Sequence, residues 1–203
     1  MALVDGNAKF RYIDVGAYGR NSDGGIFRNS SIGKALEQNQ PGIPTDSSLP
    51  FNQAGELFPY VFLTDEAFPL QRHIMGPYPG TNLTMDKQAF NYRLSRRRSI
   101  VENAFRVLSQ RFRIFHTKIN VSVETVKEII KACCLLHNII RDEPCAVPID
   151  AYCLGNERRF TTMDGDTELE SEAAQKVRDR LKDLLVAYPL SWQNKYLNRG
   201  IQD

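Results

Sequence analysis

The sequence predicts a folded, mixed α/β domain, and three observations support that prediction. The chain has 203 residues, of which 42% are hydrophobic and 25% charged, as in ordinary globular proteins. Short β-prone runs stand at the start of the chain and near residue 60. Three longer stretches carry apolar residues at spacings of three and four, which is typical of amphipathic helices. One domain with a mixed sheet flanked by helices follows from this combination.

Two regions are predicted to form strands. Residues 1–4 and 10–15 flank an Asp-Gly-Asn turn sequence, which predicts an antiparallel hairpin. Residues 60–64 form a continuous apolar and β-branched run that is too short for a helix. Such a run fits a strand that is covered on both faces.

Four helices are predicted from caps and periodicity. Ser30 or Ser31 can begin a short helix that ends near Gln38. The longer helices are predicted over residues 87–113, over 123–141 with Ser122 as the cap, and over 169–186.

Glycine and proline predict the loops, at residues 16–25, 39–59 and 66–84. The expected organisation is therefore a main domain over 1–142, an acidic excursion over 143–166, and a closing helix with its tail over 167–203.

Charge is concentrated in one segment. The whole chain carries a formal net charge of +2, yet residues 93–118 contain eight Lys and Arg residues against one acidic residue. Such a block predicts a polyanionic partner, and the interspersed apolar residues place it on a folded element. The sequence shows neither a membrane span nor a secretory signal. Two of the four cysteines are adjacent and none forms a C-x-x-C pair, which favours a reduced, intracellular protein over a disulfide framework.

Two carboxylates are candidates for metal chemistry. Asp65 directly follows the predicted buried strand, and Glu102 stands among arginines on the predicted basic helix. Each also has an ordinary structural interpretation, Asp65 as a turn cap and Glu102 as an i,i+4 ion pair. Together they suggest a nuclease, because enzymes that cut phosphodiesters by in-line attack hold two Mg²⁺ ions with a few carboxylates.

Four segments in a fixed order resemble one family, the DDE endonuclease domain of PIF/Harbinger transposases and the nucleases derived from them. They are F-R-Y-I-D-V-G-A-Y-G-R-N-S-D-G-G-I-F (residues 10–27), Y-V-F-L-T-D-E-A-F-P-L (60–70), F-N-Y-R-L-S-R-R-R-S-I-V-E-N-A-F-R-V-L-S-Q-R-F-R-I-F (90–115) and L-L-H-N-I-I (135–140). The resemblance covers residues 2–142 and implies a ribonuclease-H-like fold. It also implies three carboxylates that bind Mg²⁺ or Mn²⁺ for DNA strand cleavage and transfer.

The resemblance assigns roles to particular residues. Asp65 matches the second catalytic Asp and Glu102 the catalytic Glu, while Asp23 matches an acidic position that is a candidate metal neighbour. Residues 66–68 depart mildly from the family's D-S-G-Y motif. The candidate phosphate-binding side chains are Arg96, Arg97, Arg98, Arg106, Arg111 and Arg113.

The family's first catalytic Asp has no counterpart in this chain, because its strand would precede the opening hairpin. We therefore expect an N-terminally truncated domain that lacks its first strand and is incomplete for catalysis. Two hypotheses stay open: a metal-dependent nuclease, and a domesticated, non-catalytic nuclear adaptor that binds DNA or a protein. The expected partner is DNA, and the resemblance also implies a separate Myb-like DNA-binding protein as a partner. The expected location is the nucleus, with the cytoplasm as the alternative.

One further cluster has an alternative interpretation. Cys133 and His137 lie one helical turn apart and could bind Zn²⁺, but two ligands fall short of a site. A packed or hydrogen-bonded core histidine and inert, buried cysteines are the favoured prediction.

Overall fold

The computed structural model describes residues 1–17, 22–38, 42–49, 55–143 and 171–190. The chain divides into two compact units. The first unit comprises Met1–Ile26 and Arg97–Phe160, and the second comprises Phe27–Arg96 and Thr161–Asp203.

Within the described ranges the chain forms short strands and five α-helices. The strands are β1 (Ala2–Val4), β2 (Phe10–Ile13), β3 (Ser47–Ser48), β4 (Leu57–Phe58), β5 (Phe62–Leu63) and β6 (Ile74–Met75). The helices are α1 (Asp23–Asn29), α2 (Ser31–Glu37), α3 (Met85–Arg111), α4 (Val123–Asp142) and α5 (Glu172–Ala187), and a 3-10 helix spans Arg113–His116.

The first unit contains the predicted hairpin. β1 and β2 pair antiparallel, with Leu3 opposite Tyr12, which confirms the prediction. The Asp5 carboxylate organises the turn, because its Oδ1 accepts hydrogen bonds from the backbone N–H groups of Asn7 (2.9 Å) and Lys9 (3.0 Å). Ala8 completes the turn with a left-handed backbone at φ 59°.

Helix α4 is also confirmed, and it packs into the core of the first unit. Ser122 caps it by accepting a hydrogen bond from Thr125 N–H at 3.2 Å. The core is formed by buried residues of the hairpin, α3 and α4: Ala8, Phe10, Ala104, Leu108, Cys133 and Cys134. Both cysteines are buried, as predicted, and burial raises the pKa of their thiols.

The second unit has its own core. Leu70, Met75, Tyr78, Phe90, Leu94, Ala174 and Val177 are buried there against each other. Ser30 caps α2 by accepting from Gly33 N–H at 3.0 Å, as predicted. Arg93 of α3 donates to the backbone carbonyls of Leu185 and Tyr188 at the end of α5, so this arginine has a structural role.

Helix α3 begins in the second unit and continues into the first. Its observed bounds lie two residues before the predicted range of 87–113 at both ends. Phe90 and Leu94 are buried in the second-unit core, whereas Ala104 and Leu108 are buried in the first-unit core. No helix in the described ranges is both long and apolar enough to cross a membrane.

Several loop predictions were wrong. The glycine-bearing segment 16–25 includes the start of α1, because Ser22 caps that helix and accepts a hydrogen bond from Gly25 N–H at 3.2 Å. The predicted loop 39–59 contains β3 and β4, which pair antiparallel. The predicted irregular stretch 66–84 contains β6. The parts of these segments at 18–21, 39–41 and 50–54, and the excursion 143–166 beyond residue 143, lie outside the described residues.

The strands of the described ranges form three two-stranded sheets, and one of them is parallel. In that parallel pair, Phe62 N–H donates to His73 O (2.8 Å) and Thr64 N–H donates to Met75 O (3.0 Å). The expectation that residues 60–64 are covered on both faces was wrong, because Leu63 is 40% exposed. The molecule is mixed α/β, as predicted.

Candidate functional site

Asp65 follows β5 of the parallel pair, as the sequence predicts, with Thr64 standing between it and the end of the strand. The chain turns at this residue: Asp65 Oδ1 accepts from Ala67 N–H at 3.1 Å, and its backbone carbonyl accepts from Phe68 N–H at 3.4 Å. The half-buried carboxylate is therefore held at the carboxyl end of a strand, a position at which α/β proteins bind ligands. The turn-cap interpretation and the metal-ligand interpretation both remain compatible with this geometry.

A buried hydroxyl stands next to Asp65. Thr64 Oγ1 is inaccessible to solvent and has no hydrogen-bond partner among the described residues. Gly76 of the adjacent chain segment approaches this corner closely, since a Cβ built there would lie 3.5 Å from Asp65 O and 3.8 Å from Thr64 Oγ1. Both distances are ordinary van der Waals contacts, and two oxygen atoms, Asp65 O and Thr64 Oγ1, line this corner.

Glu102 lies on α3 with its side chain 53% exposed. Its Oε1 is 3.7 Å from Nη2 of Arg98, one helical turn earlier, which is a long ion pair. The next two residues, Asn103 and Ala104, are buried and fix this turn of the helix. Glu102 therefore presents an anionic oxygen to solvent from a rigid helix.

The metal-ligand set can be tested against these observations. Asp65 belongs to the second unit, whereas Glu102 and the exposed Asp23 at the start of α1 belong to the first. Carboxylate oxygens are the ligands that Mg²⁺ and Mn²⁺ prefer, so the donor chemistry fits. The described residues contain no group of three or more His, Cys, Asp or Glu side chains that could hold a metal ion, so the number of ligands does not fit a two-metal centre.

The candidate phosphate-binding arginines differ in exposure. The exposed ones are Arg96, Arg97, Arg106, Arg111 and Arg113. Arg98 is only 26% exposed and faces Glu102. The basic character of the segment is thus displayed mainly at the surface, where polyanions can reach it.

The sequence assigned no role to Asn138 of α4, and no partner to His137; both side chains bind the hairpin, about 130 residues earlier in the chain. Asn138 bonds both backbone polar groups of Phe10, and His137 bonds Ala8 O. Both residues belong to the L-L-H-N-I-I segment that resembles the family, but nothing in the sequence indicates which groups they bond. The prediction of a hydrogen-bonded core histidine is confirmed.

Comparisons with known proteins agree with the motifs. The family described as "DDE superfamily endonuclease" matches residues 1–138. "Protein ALP1-like" of Arabidopsis thaliana is 29% identical over 185 residues, which is 91% of this chain and 45% of that protein. "Putative nuclease HARBI1" of Mus musculus is 28% identical over 156 residues, which is 72% of this chain and 40% of that protein.

The chain thus spans less than half the length of either relative. No solved structure matches it. The match over most of the chain confirms the resemblance drawn from the four motifs: this protein belongs to the DDE superfamily endonuclease family, with Harbinger-derived relatives.

Proposed function

We propose that this chain is part of a Harbinger-type DNA endonuclease with a ribonuclease-H-like fold, in which Asp65 and Glu102 are ligands of Mg²⁺ or Mn²⁺. The observation that carries the proposal is Asp65, a half-buried carboxylate held at the end of a parallel strand pair within a segment that matches the family. Glu102 adds an exposed carboxylate on a rigid helix. When bound, divalent ions supply charge stabilisation and an activated water for phosphodiester hydrolysis.

The proposal gives the carboxylates and the arginines of this chain different roles. Asp65 and Glu102 provide anionic oxygens, while the exposed arginines of α3 and of the following 3-10 helix hold DNA phosphates. Arg98, which pairs with Glu102 at 3.7 Å, orients that carboxylate when no cation is present. Asp23 is a weaker candidate neighbour, because it is exposed on a helix of only seven residues.

Calorimetry with Mn²⁺ tests the metal assignment. With two protein carboxylates we expect a dissociation constant of about 1 mM, because few charged ligands give weak sites. Asp65→Asn and Glu102→Gln should each weaken binding several-fold. The matched controls are Asp46→Asn and Glu128→Gln, which alter carboxylates that already pair with Arg72 and Lys131. Equal Mn²⁺ binding by the Asp65→Asn/Glu102→Gln double variant and the wild type would refute the assignment.

A second candidate function is a non-catalytic adaptor that keeps the basic helix. It is favoured by the lack of a three-ligand group among the described residues. The two functions are separated by fluorescence anisotropy with duplex DNA in Mg²⁺ and in EDTA. An adaptor binds DNA no more tightly in Mg²⁺ than in EDTA, because Mg²⁺ competes with the arginines for phosphate, whereas a metal-assisted site binds more tightly in Mg²⁺. In either case we propose nuclear localisation and a Myb-like DNA-binding partner, which imaging of a fluorescent fusion and co-purification with that partner would test.

A further inference from the structure

Helix α4 grips the turn and second strand of the hairpin through polar side chains. The carboxamide of Asn138 accepts from Phe10 N–H through Oδ1 and donates to Phe10 O through Nδ2, both at 2.8 Å. One side chain thereby satisfies both backbone groups of a core residue, as a neighbouring strand would. At the helix end, Lys9 pairs with Asp142, and Arg141 Nε donates to Asn7 O at 3.2 Å.

His137 makes the most buried of these contacts. It is 0% exposed, and its Nε2 lies 2.8 Å from the backbone carbonyl oxygen of Ala8. A carbonyl only accepts, so Nε2 carries the proton and Nδ1 is the unprotonated nitrogen of a neutral ring. Nδ1 is itself buried and has no partner in the part of the chain that the structure describes. The ring also packs edge-on against Phe10, with centroids 5.1 Å apart.

On balance, the surroundings oppose a positive charge on this ring. Burial lowers the pKa of His137, the hydrogen bond to Ala8 O partly offsets that effect, and the positive charges of Arg111 on α3 and Arg141 on α4 lower the pKa further. On the hairpin, Lys9 follows Ala8 in the chain and is paired with Asp142. One turn earlier on α4 stands the buried thiol of Cys133, which carries no negative charge at neutral pH.

We propose that His137 and Asn138 form a latch that holds the β1–β2 hairpin against α4 and that opens when His137 is protonated. A second N–H on the ring would have no acceptor and would place a positive charge in the core. The hairpin turn can yield, because Gly6 and Asn7 are already exposed and the Asp5 hydrogen bonds to Asn7 and Lys9 do not depend on α4. Moving the turn outward hydrates the ring without breaking the hairpin or the helix.

Amide hydrogen exchange of the full 203-residue chain tests the latch. The reporter is Phe10 N–H, whose acceptor is Asn138, and the reference amides are those of residues 129–134 inside α4. The chain has three histidines, so a His73→Gln/His116→Gln variant leaves His137 as the only one. In that variant we expect the protection factor of Phe10 N–H to fall about tenfold per pH unit once His137 titrates, because opening is coupled to one proton. The protection factors of the α4 amides should stay well above that of Phe10 N–H at every pH, because those amides exchange only when the whole unit unfolds.

Two further variants complete the test. His137→Gln retains an N–H donor for Ala8 O but does not titrate, so the Phe10 protection factor should become independent of pH between 7.5 and 5. Asn138→Asp cannot donate to Phe10 O and should lower that protection at every pH. If the His73→Gln/His116→Gln variant shows constant Phe10 protection from pH 7.5 to 5, the latch is refuted. It is equally refuted if the protection factor of Phe10 N–H equals those of the α4 amides at every pH, since Phe10 N–H then exchanges only through global unfolding. These readouts decide the question even if His137→Gln does not fold.

Discussion

Replacing Asn138 by Ala should destabilise the first unit substantially. The change removes two hydrogen bonds of 2.8 Å each and leaves the backbone N–H and C=O of Phe10 without partners. Phe10 is buried between β1, α3 and α4, so these groups cannot be fully hydrated unless the strand moves. An unsatisfied buried polar group costs about 1–3 kcal/mol, whereas a bond that water replaces costs about 0.5–1.5 kcal/mol. Two partly hydrated groups give an expected loss of about 2–4 kcal/mol.

The measurement is urea unfolding followed through NMR signals of first-unit residues, with the slope against urea checked for constancy. The control is Gln88→Ala, which removes one exposed side-chain bond of 2.7 Å to Leu83 O and should cost about 0.5 kcal/mol or less. A loss below about 0.5 kcal/mol for Asn138→Ala, equal to that of the control, would refute this prediction, because it would show that water replaces the two hydrogen bonds of Asn138 to Phe10 without cost.

Three other predictions concern pH, salt and catalysis. The pKa of His137 is lowered in the folded state, so below about pH 6.5 the unfolded chain binds more protons than the folded chain. The free energy of unfolding should therefore fall as the pH decreases from there. Urea midpoints that depend on pH as strongly in His137→Gln as in the wild type would contradict this prediction. DNA affinity should fall steeply with salt concentration. Arg96→Ala/Arg97→Ala should reduce the slope of log affinity against log salt by about two units, whereas Arg72→Ala should not. An unchanged slope in the double variant would exclude phosphate contacts by Arg96 and Arg97. The 203-residue chain alone should not nick supercoiled plasmid in Mg²⁺, because its described residues assemble no three-ligand group; nicking that Glu102→Gln abolishes would show that the chain supplies a complete site.

Local chemistry explains which parts of the fold were predictable. Ser30 and Ser122 cap the helices that follow them, and the Asp5 turn closes the hairpin, because each of these signals acts over about four residues. Helix α1 was missed, since its Gly24-Gly25 pair favours a loop and only the Ser22 cap indicates a helix. The two-residue strands β3, β4 and β6 have too little sequence to show a period of two and exist through their partners.

The candidate site likewise contains residues that the sequence could predict and residues that it could not. Asp65 was predictable, because a carboxylate directly after a short apolar run is visible in the sequence and the run does end in a parallel strand. The hydrogen bonds between Asn138 and Phe10 were not predictable, because the two residues are 128 positions apart and an amide side chain does not indicate which backbone groups it will bond. The different exposure of Arg98 and its neighbours likewise depends on packing around α3 rather than on the run of three arginines.

Line broadening by Mn²⁺ in NMR spectra tests the proposal that Asp65 and Glu102 bind a divalent cation. Paramagnetic Mn²⁺ broadens amide signals close to where it binds, so the signals of Ala67 and Asn103, next to the two carboxylates, should broaden first in the wild type. They should stay sharp at the same Mn²⁺ concentration in the Asp65→Asn/Glu102→Gln variant. Broadening of Ala67 and Asn103 that is unchanged in that variant would contradict the claim.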